Sequence, residues 1–259
     1  MRRSFYYTLV GFVALFIVAP LFMLMKEGVP LLPEAVLLKE VQFAISLSLK
    51  TSIISTAICL ILSAPIAYFL YQSRFKHWLM PFLYLPLALP HIVSGVALLL
   101  FFGHMGIGSF LEKYLNLSFV FTQQGIILAQ TFVNLPFAIK LLTVGLDNLN
   151  TKQIFVARTL GANRLQCFYH VTLPLLKSTI ISTVVLTWSR ALGEFGAVIM
   201  VAGATRMKTE ILPTSIMLNL STGDLDLAMS IAVILMMISL TCSLMFEWIL
   251  RTKKHDQYS

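Results

Sequence analysis

Along this chain apolar residues do not recur at every third or fourth position. They run in long blocks separated by short polar connections. A helix that is apolar all round is buried or lies in a membrane, and about 20 residues are needed to cross the hydrocarbon core. Six blocks meet that length: about 5–25, 46–71, 79–103, 125–146, 178–203 and 228–250. The pattern predicts an all-α integral membrane protein of six transmembrane helices, one transmembrane domain over 1–259. Lys50 and Lys140 fall near block ends, where a long side chain reaches the headgroups. Pro81, Pro86 and Pro90 predict a kink in the third block. The first block follows Arg2 and Arg3 but exceeds the ~7–15 apolar residues of a secretory signal, with no small-x-small cleavage site after it, so it reads as an uncleaved anchor.

Composition sharpens the class. The chain is 58% apolar and 12% charged, with mean hydropathy +0.86, whereas soluble domains carry about 25% charged residues. A net charge of +8 does not point to nucleic acid, because the basic residues lie between apolar blocks and not in a patch interleaved with aromatics. They set orientation instead. With the N-terminus cytoplasmic, eleven of the nineteen Lys and Arg fall inside, five outside and three within blocks. Both termini are therefore expected in the cytoplasm, in a cell (inner) membrane. Cys59, Cys167 and Cys242 form no C-x-x-C pair and read as small buried hydrophobes. The histidines are scattered, and no metal site and no catalytic constellation is expected. His91 reads as a hydrogen-bonded helix residue.

One connection stands apart. Residues 147–177, DNLNTKQIFVARTLGANRLQCFYHVTLPLLK, are too long to be structureless in a compact protein. Apolar positions before and after Gly161 predict two short helices under the membrane, joined by a turn that glycine permits. Leu173-Pro174 is expected to end the second, since proline disfavours helix in the residue before it.

The fifth block contains two opposite charges, Arg190 and Glu194. On a continuous helix, residues four apart share a face and pair. Either charge alone at the bilayer centre costs on the order of 2.5–3.5 kcal/mol, so lipid exposure is the least favourable placement. Two roles are open: an ion pair that locks or gates helix packing, or an Arg190 guanidinium facing an anion on a translocation path. Gly193, Gly196 and Gly203 favour the first, because small residues let helices approach closely.

The run Val156-Ala157, three residues, Gly161, nine residues, Val171, one residue, Leu173-Pro174 resembles the cytoplasmic loop of ABC-importer permeases. That family pattern is Glu-Ala-Ala, three residues, Gly, nine residues, Ile, one residue, Leu-Pro. Phe155 stands where the family has Glu, and Arg158 lies beside it. SRALGEFGAVIMVAG at 189–203 is similar to the fifth-span segment of the oxyanion branch, the molybdate, tungstate and sulfate permeases. LPLALPHIVSGVALLLFFG at 85–103 resembles their third span, with His91 where a second proline is common. AQTFVNLPFAIK at 129–140 resembles their fourth.

The resemblance implies a type I ABC-importer permease with a cytoplasmic coupling helix. It implies docking of two copies of an ATP-binding subunit through Phe155, Ala157, Arg158, Gly161, Ala162, Arg164, Leu173 and Pro174. Arg190, Gly193, Glu194 and Gly196 would line the path or its gate. The chain contains no G-x-x-x-x-G-K-[ST] phosphate loop, so ATP and Mg would sit on the partner and this chain would hold no cofactor of its own. An external oxyanion-binding protein, membrane lipid and a second permease copy in a homodimer complete the implied partners. Molybdate is the first substrate expectation, tungstate follows closely, and sulfate is an alternative. An ion-gradient-driven secondary transporter is the alternative from another class. It would show inverted repeats with broken helices in both halves, and the third block's prolines have no counterpart in the second half.

Overall fold

A computed structural model describes the backbone of residues 2–149 and 151–255 and the side chains of 5–149, 152–163 and 165–245. The described residues form helices and no strand. In chain order these are α1 (Arg2–Gly28), α2 (Leu32–Leu37), α3 (Lys39–Gln72), α4 (Lys76–Ala88), α5 (His91–Phe102), α6 (Gly108–Leu115), α7 (Gln123–Asp147), α8 (Thr151–Thr159), α9 (Arg164–Cys167), α10 (Leu173–Leu175), α11 (Lys177–Leu192), α12 (Gly196–Ala202), α13 (Leu212–Thr222) and α14 (Leu225–His255). Helix is what long apolar segments require in lipid, because every backbone group must find its partner within the segment. Four helical stretches are long and apolar enough to cross unaided, and two bent pairs bring the total to six.

The centre is the packing of α3 on α7. On α3, Ser48, Ser52, Ser55, Cys59 and Ser63 recur at three- and four-residue spacing and are buried. Facing them, α7 buries Ala129, Gln130, Val133, Asn134 and Ala138. Small residues bring the backbones close, which is how helices associate where no hydrophobic force acts between them. Most α3 hydroxyls return to their own helix, as in Thr51 Oγ1 to the Leu47 carbonyl at 2.9 Å and Thr56 Oγ1 to that of Ser52 at 2.7 Å, whereas Ser48 Oγ accepts the Leu212 N–H of α13 at 2.7 Å. Thr122 starts α7 by accepting the Gly125 N–H at 3.2 Å.

Three predicted elements change shape. The third block is not a kinked rod: α4 and α5 meet at 104°. Leu89 is extended there because the following Pro90 excludes it from the helical region. The fifth block is not one helix either. It stops at Leu192 and resumes at Gly196, so the second half has a break of its own, made by glycines and not prolines. Finally, Pro174 does not end the second loop helix. Residues Phe168–Thr172 form a π-helical turn that carries the chain through the proline, since a wider turn accommodates a residue without an N–H. The bend, 62°, falls between Leu165–Leu175 and Lys177–Leu192.

The polar run 204–227, expected as loop, contains α13, which buries Leu212, Pro213, Thr214, Ser215 and Asn219. It packs on α14 and on the start of α3. The connection before it is tied to α3 by an ion pair of Arg206 with Glu40, and Arg206 also donates to Asn219 Oδ1 at 2.8 Å. In contrast, α1 lies almost wholly outside the packed core and touches α14 where Gly28 meets Met229 and Val233.

Candidate functional site: an elbow and a centre of broken helices

The loop after α7 forms the expected elbow. Gly161 has φ +91°. Its N–H reaches the Arg158 carbonyl at 3.1 Å, and the Ala162 N–H reaches that of Ala157 at 3.0 Å. These are the two bonds of a Schellman stop, which satisfy the last carbonyls of α8. The next helix begins two residues later with a reciprocal cap. Asn163 Oδ1 accepts the Gln166 N–H at 2.8 Å, and Gln166 Oε1 accepts the Asn163 N–H at 2.9 Å. A stop and a start so close together leave the elbow little freedom.

Its surface is apolar and open. Phe155 is 69% exposed and Leu160 82%, and Val156, Leu165 and Tyr169 are also exposed. A cleft of about 830 Å³ lies between α8, the π turn and the end of α3, lined by Tyr68, Tyr71, Phe155, Phe168, Lys152 and Arg158 among others. Tyr68 and Phe168 meet edge to face at 5.7 Å and hold the second helix against α3. Ala157 and Ala162 are half-buried, and Leu173 and Pro174 are exposed at the helix end. The Arg164 side chain lies outside the described residues. Cys167 is buried beneath the elbow. At the root of the loop, Lys76 of α4 pairs with Asp147, the last residue of α7.

The second region is where the third and fifth spans break. Arg190 and Glu194 do not pair, because the helix that would align them ends at Leu192. Each has found another partner. Arg190 Nε donates to Asn134 Oδ1 on α7 at 3.2 Å, and its guanidinium stacks on Phe137 at 4.8 Å. Glu194 is 3% exposed. Its Oε1 accepts the Ala197 N–H at 3.0 Å, in the first turn of α12, where a carboxylate also meets the positive end of the helix. Its Oε2 lies 2.8 Å from His91 Nδ1, at the start of α5. His91 is thus hydrogen-bonded, as expected, but to the residue the sequence assigned to Arg190.

The glycines divide by role. A Cβ on Gly196 would lie 2.9 Å from His91 Cβ and 3.1 Å from the Ile92 nitrogen, and one on Gly95 would lie 2.9 Å from Ala197 Cα. The parallel helices α5 and α12 therefore touch backbone to backbone. Gly193 is exposed in the break and touches only its own helix. Gln130 donates to the Ala191 carbonyl at 2.9 Å and secures the end of α11. Sequence reasoning missed Asn134, Gln130 and His91 as partners. The available signal was polarity: two amides inside the fourth block, and an imidazole inside the third.

No group of three or more potential metal ligands occurs among the described residues.

Residues 60–251 match the family described as binding-protein-dependent transport system inner membrane component. The molybdenum transport system permease protein ModB of Mycobacterium tuberculosis is 39% identical over 201 residues, covering 76% of this chain and 75% of that protein. ModB of Escherichia coli is 32% identical over 82% of this chain and 94% of its own length. The sulfate transport system permease protein CysW of Synechococcus elongatus is 35% identical over 68% of this chain and 62% of its own. Among solved structures, a bacterial ABC transporter involved in import of the acidic polysaccharide alginate superposes with a TM-score of 0.76 over 95% of this chain and 94% of its own, at 17% identity. The MetNI methionine ABC transporter superposes at 0.63 over 81% of this chain and 94% of its own, at 16%. With spans, elbow and relatives in agreement, the chain belongs to the binding-protein-dependent inner membrane transport components, the multi-pass permease subunits of ABC importers.

Proposed function

We propose that this chain is the membrane conduit of an ATP-driven oxyanion importer that carries molybdate, with tungstate as a close second. Two identical copies would stand over two ATP-binding subunits, which hold ATP and Mg²⁺, and receive the anion from an external binding protein, with both termini in the cytoplasm. Relatives named for molybdenum transport are matched over 68–94% of their length, against 62% and 56% for the sulfate permeases CysW and CysT. The sulfate match keeps sulfate as the competing substrate. The ion-gradient alternative falls with the family assignment, and α5 and α12 run parallel, not inverted.

The observation that carries the reading is the elbow at Gly161–Asn163, which presents an exposed apolar surface on a backbone fixed by caps at both sides. Phe155 replaces the family's carboxylate, so docking there is apolar, with Arg158 adjacent. Closure of two ATPases would draw two such elbows together and turn α11 through the 62° bend, which is a rigid-body route to alternating access. At the other end of α11, Asn134 and Phe137 occupy Arg190's Nε and one face, and in this reading its terminal amines face the path. A planar guanidinium so oriented suits a tetrahedral dianion in transit. A single fork offers passage without a trap, since conduction needs weak mid-membrane binding. The test is uptake into proteoliposomes holding this chain, its ATPase and its binding protein, with molybdate, tungstate and sulfate as competitors. Uptake that ignores all three, or that proceeds without ATP, removes this reading.

A further inference from the structure

Among the described residues, Glu194 is the one point at which the third and fifth spans are joined by a side-chain bond. We propose that His91 and Glu194 form a latch between the two breaks, with His91 acting as a positioning residue that holds the resting arrangement and couples transport to ATP hydrolysis. This inference rests on the importer reading above.

Four observations carry it. First, the carboxylate is fully committed: Oε1 holds the start of its own helix α12 through Ala197, and Oε2 holds the start of α5 through His91. Second, both residues sit at the breaks, His91 as the first residue of α5 and Glu194 between two helices. His91 follows Pro90, beyond which the chain departs at 104°. Glu194 lies between the end of α11 and the start of α12. Third, beyond the breaks α5 and α12 leave no space between them, as the Gly95 and Gly196 contacts show, so the packed pair behaves as one piece. Rearrangement is therefore confined to the breaks, where the helices are interrupted. Fourth, the two ends of the bond differ in accessibility. The Glu194 side chain is 2% exposed and that of His91 40%. The imidazole can swing away without opening the core, whereas the carboxylate stays with α12. A bond with one fixed end and one movable end, at the break end of a packed pair, is the contact that a change of state releases without separating α5 from α12.

The alternative to a latch is a brace that only stabilises the fold, and the experiment separates them. His91→Asn retains an N–H donor at the reach of Nδ1, whereas His91→Met retains bulk and loses the donor. Each variant is purified with its ATPase, checked for assembly by size exclusion, and reconstituted with the binding protein. Basal ATP hydrolysis and anion uptake per ATP are then measured. The latch predicts that His91→Met assembles, raises basal hydrolysis about fivefold and loses uptake per ATP in proportion, a modest coupling between sites. His91→Asn should stay close to the wild type. Wild-type coupling in His91→Met, or equal failure of His91→Asn, overturns the latch. Loss of assembly confined to His91→Met makes the contact a brace and overturns it equally. A wild-type complex without binding-protein-stimulated hydrolysis counts instead against the importer reading itself.

Discussion

Asn134 and Arg190 are joined across α7 and α11, with the guanidinium Nε donating to the amide oxygen at 3.2 Å. Asn134 is buried and its own amide donates to the Gln130 carbonyl at 2.8 Å, so the acceptor is held in place from behind. A hydrogen bond to a charged group is worth about 1.5–3 kcal/mol. Asn134→Leu should therefore release Arg190 and lower the uptake rate about tenfold, at 1.4 kcal/mol per decade. Arg190→Lys should fall as far, because an ammonium neither stacks on Phe137 nor keeps a planar fork. Wild-type uptake in both variants would take Arg190 off the path.

Close approach of α5 and α12 depends on Gly95. A Cβ there would sit 2.7 Å from Met200 Cβ and 2.9 Å from Ala197 Cα, whereas one at Gly11 meets nothing within 4 Å. Gly95→Ala should destabilise the purified protein by about 1–3 kcal/mol, as overpacking does, seen as a lower Tm in detergent. Gly11→Ala should leave it unchanged. Equal Tm values would mean the helices separate freely.

The elbow needs a residue tolerant of positive φ. Gly161→Ala meets no neighbour but inherits φ +91°, a strain of about 1–3 kcal/mol. Capture of the ATPase on beads should weaken several-fold. Gly223→Ala is the control, since it also has a positive φ of 84° in open surroundings but lies at the end of α13. Equal capture by both variants would separate the elbow's shape from docking.

Phe155 offers a large exposed ring where the family has a carboxylate. Phe155→Ala should leave Tm unchanged, because the ring supports no core, and should reduce ATPase capture by an amount comparable to a lost aromatic anchor, about 2 kcal/mol or more. Unchanged capture would show that docking bypasses this ring.

Orientation is best tested at exposed positions. Cys167 is too buried to report it. Leu160, 82% exposed in the elbow, and Met105, 91% exposed between α5 and α6, should fall on opposite sides. In a cysteine-free background, Leu160→Cys should react with an impermeant maleimide only in inverted vesicles, and Met105→Cys only in intact cells. The reverse pattern would invert the topology.

By itself the sequence determined the class of the protein and the elbow. Both rest on local physics. A block of about 20 apolar residues has no stable form in lipid but helix, and a glycine followed by an Asn-x-x-Gln cap ends one helix and starts another whatever surrounds it. The same locality explains why Pro90 was legible as a disturbance but not as a bend of 104°. A proline removes one hydrogen bond, and what the freed chain then packs against sets the angle. Only the tertiary structure decided the partners of the buried charges. Arg190 and Glu194 stand four apart in sequence, which is a pair on an unbroken helix. The helix breaks at Gly193 and α12 packs backbone to backbone on α5, so each charge turns to a neighbouring element, one to Asn134 and the other to His91. Charge pairing in a membrane is chosen by whichever groups share a dry space, and that space is made by helices far apart along the chain.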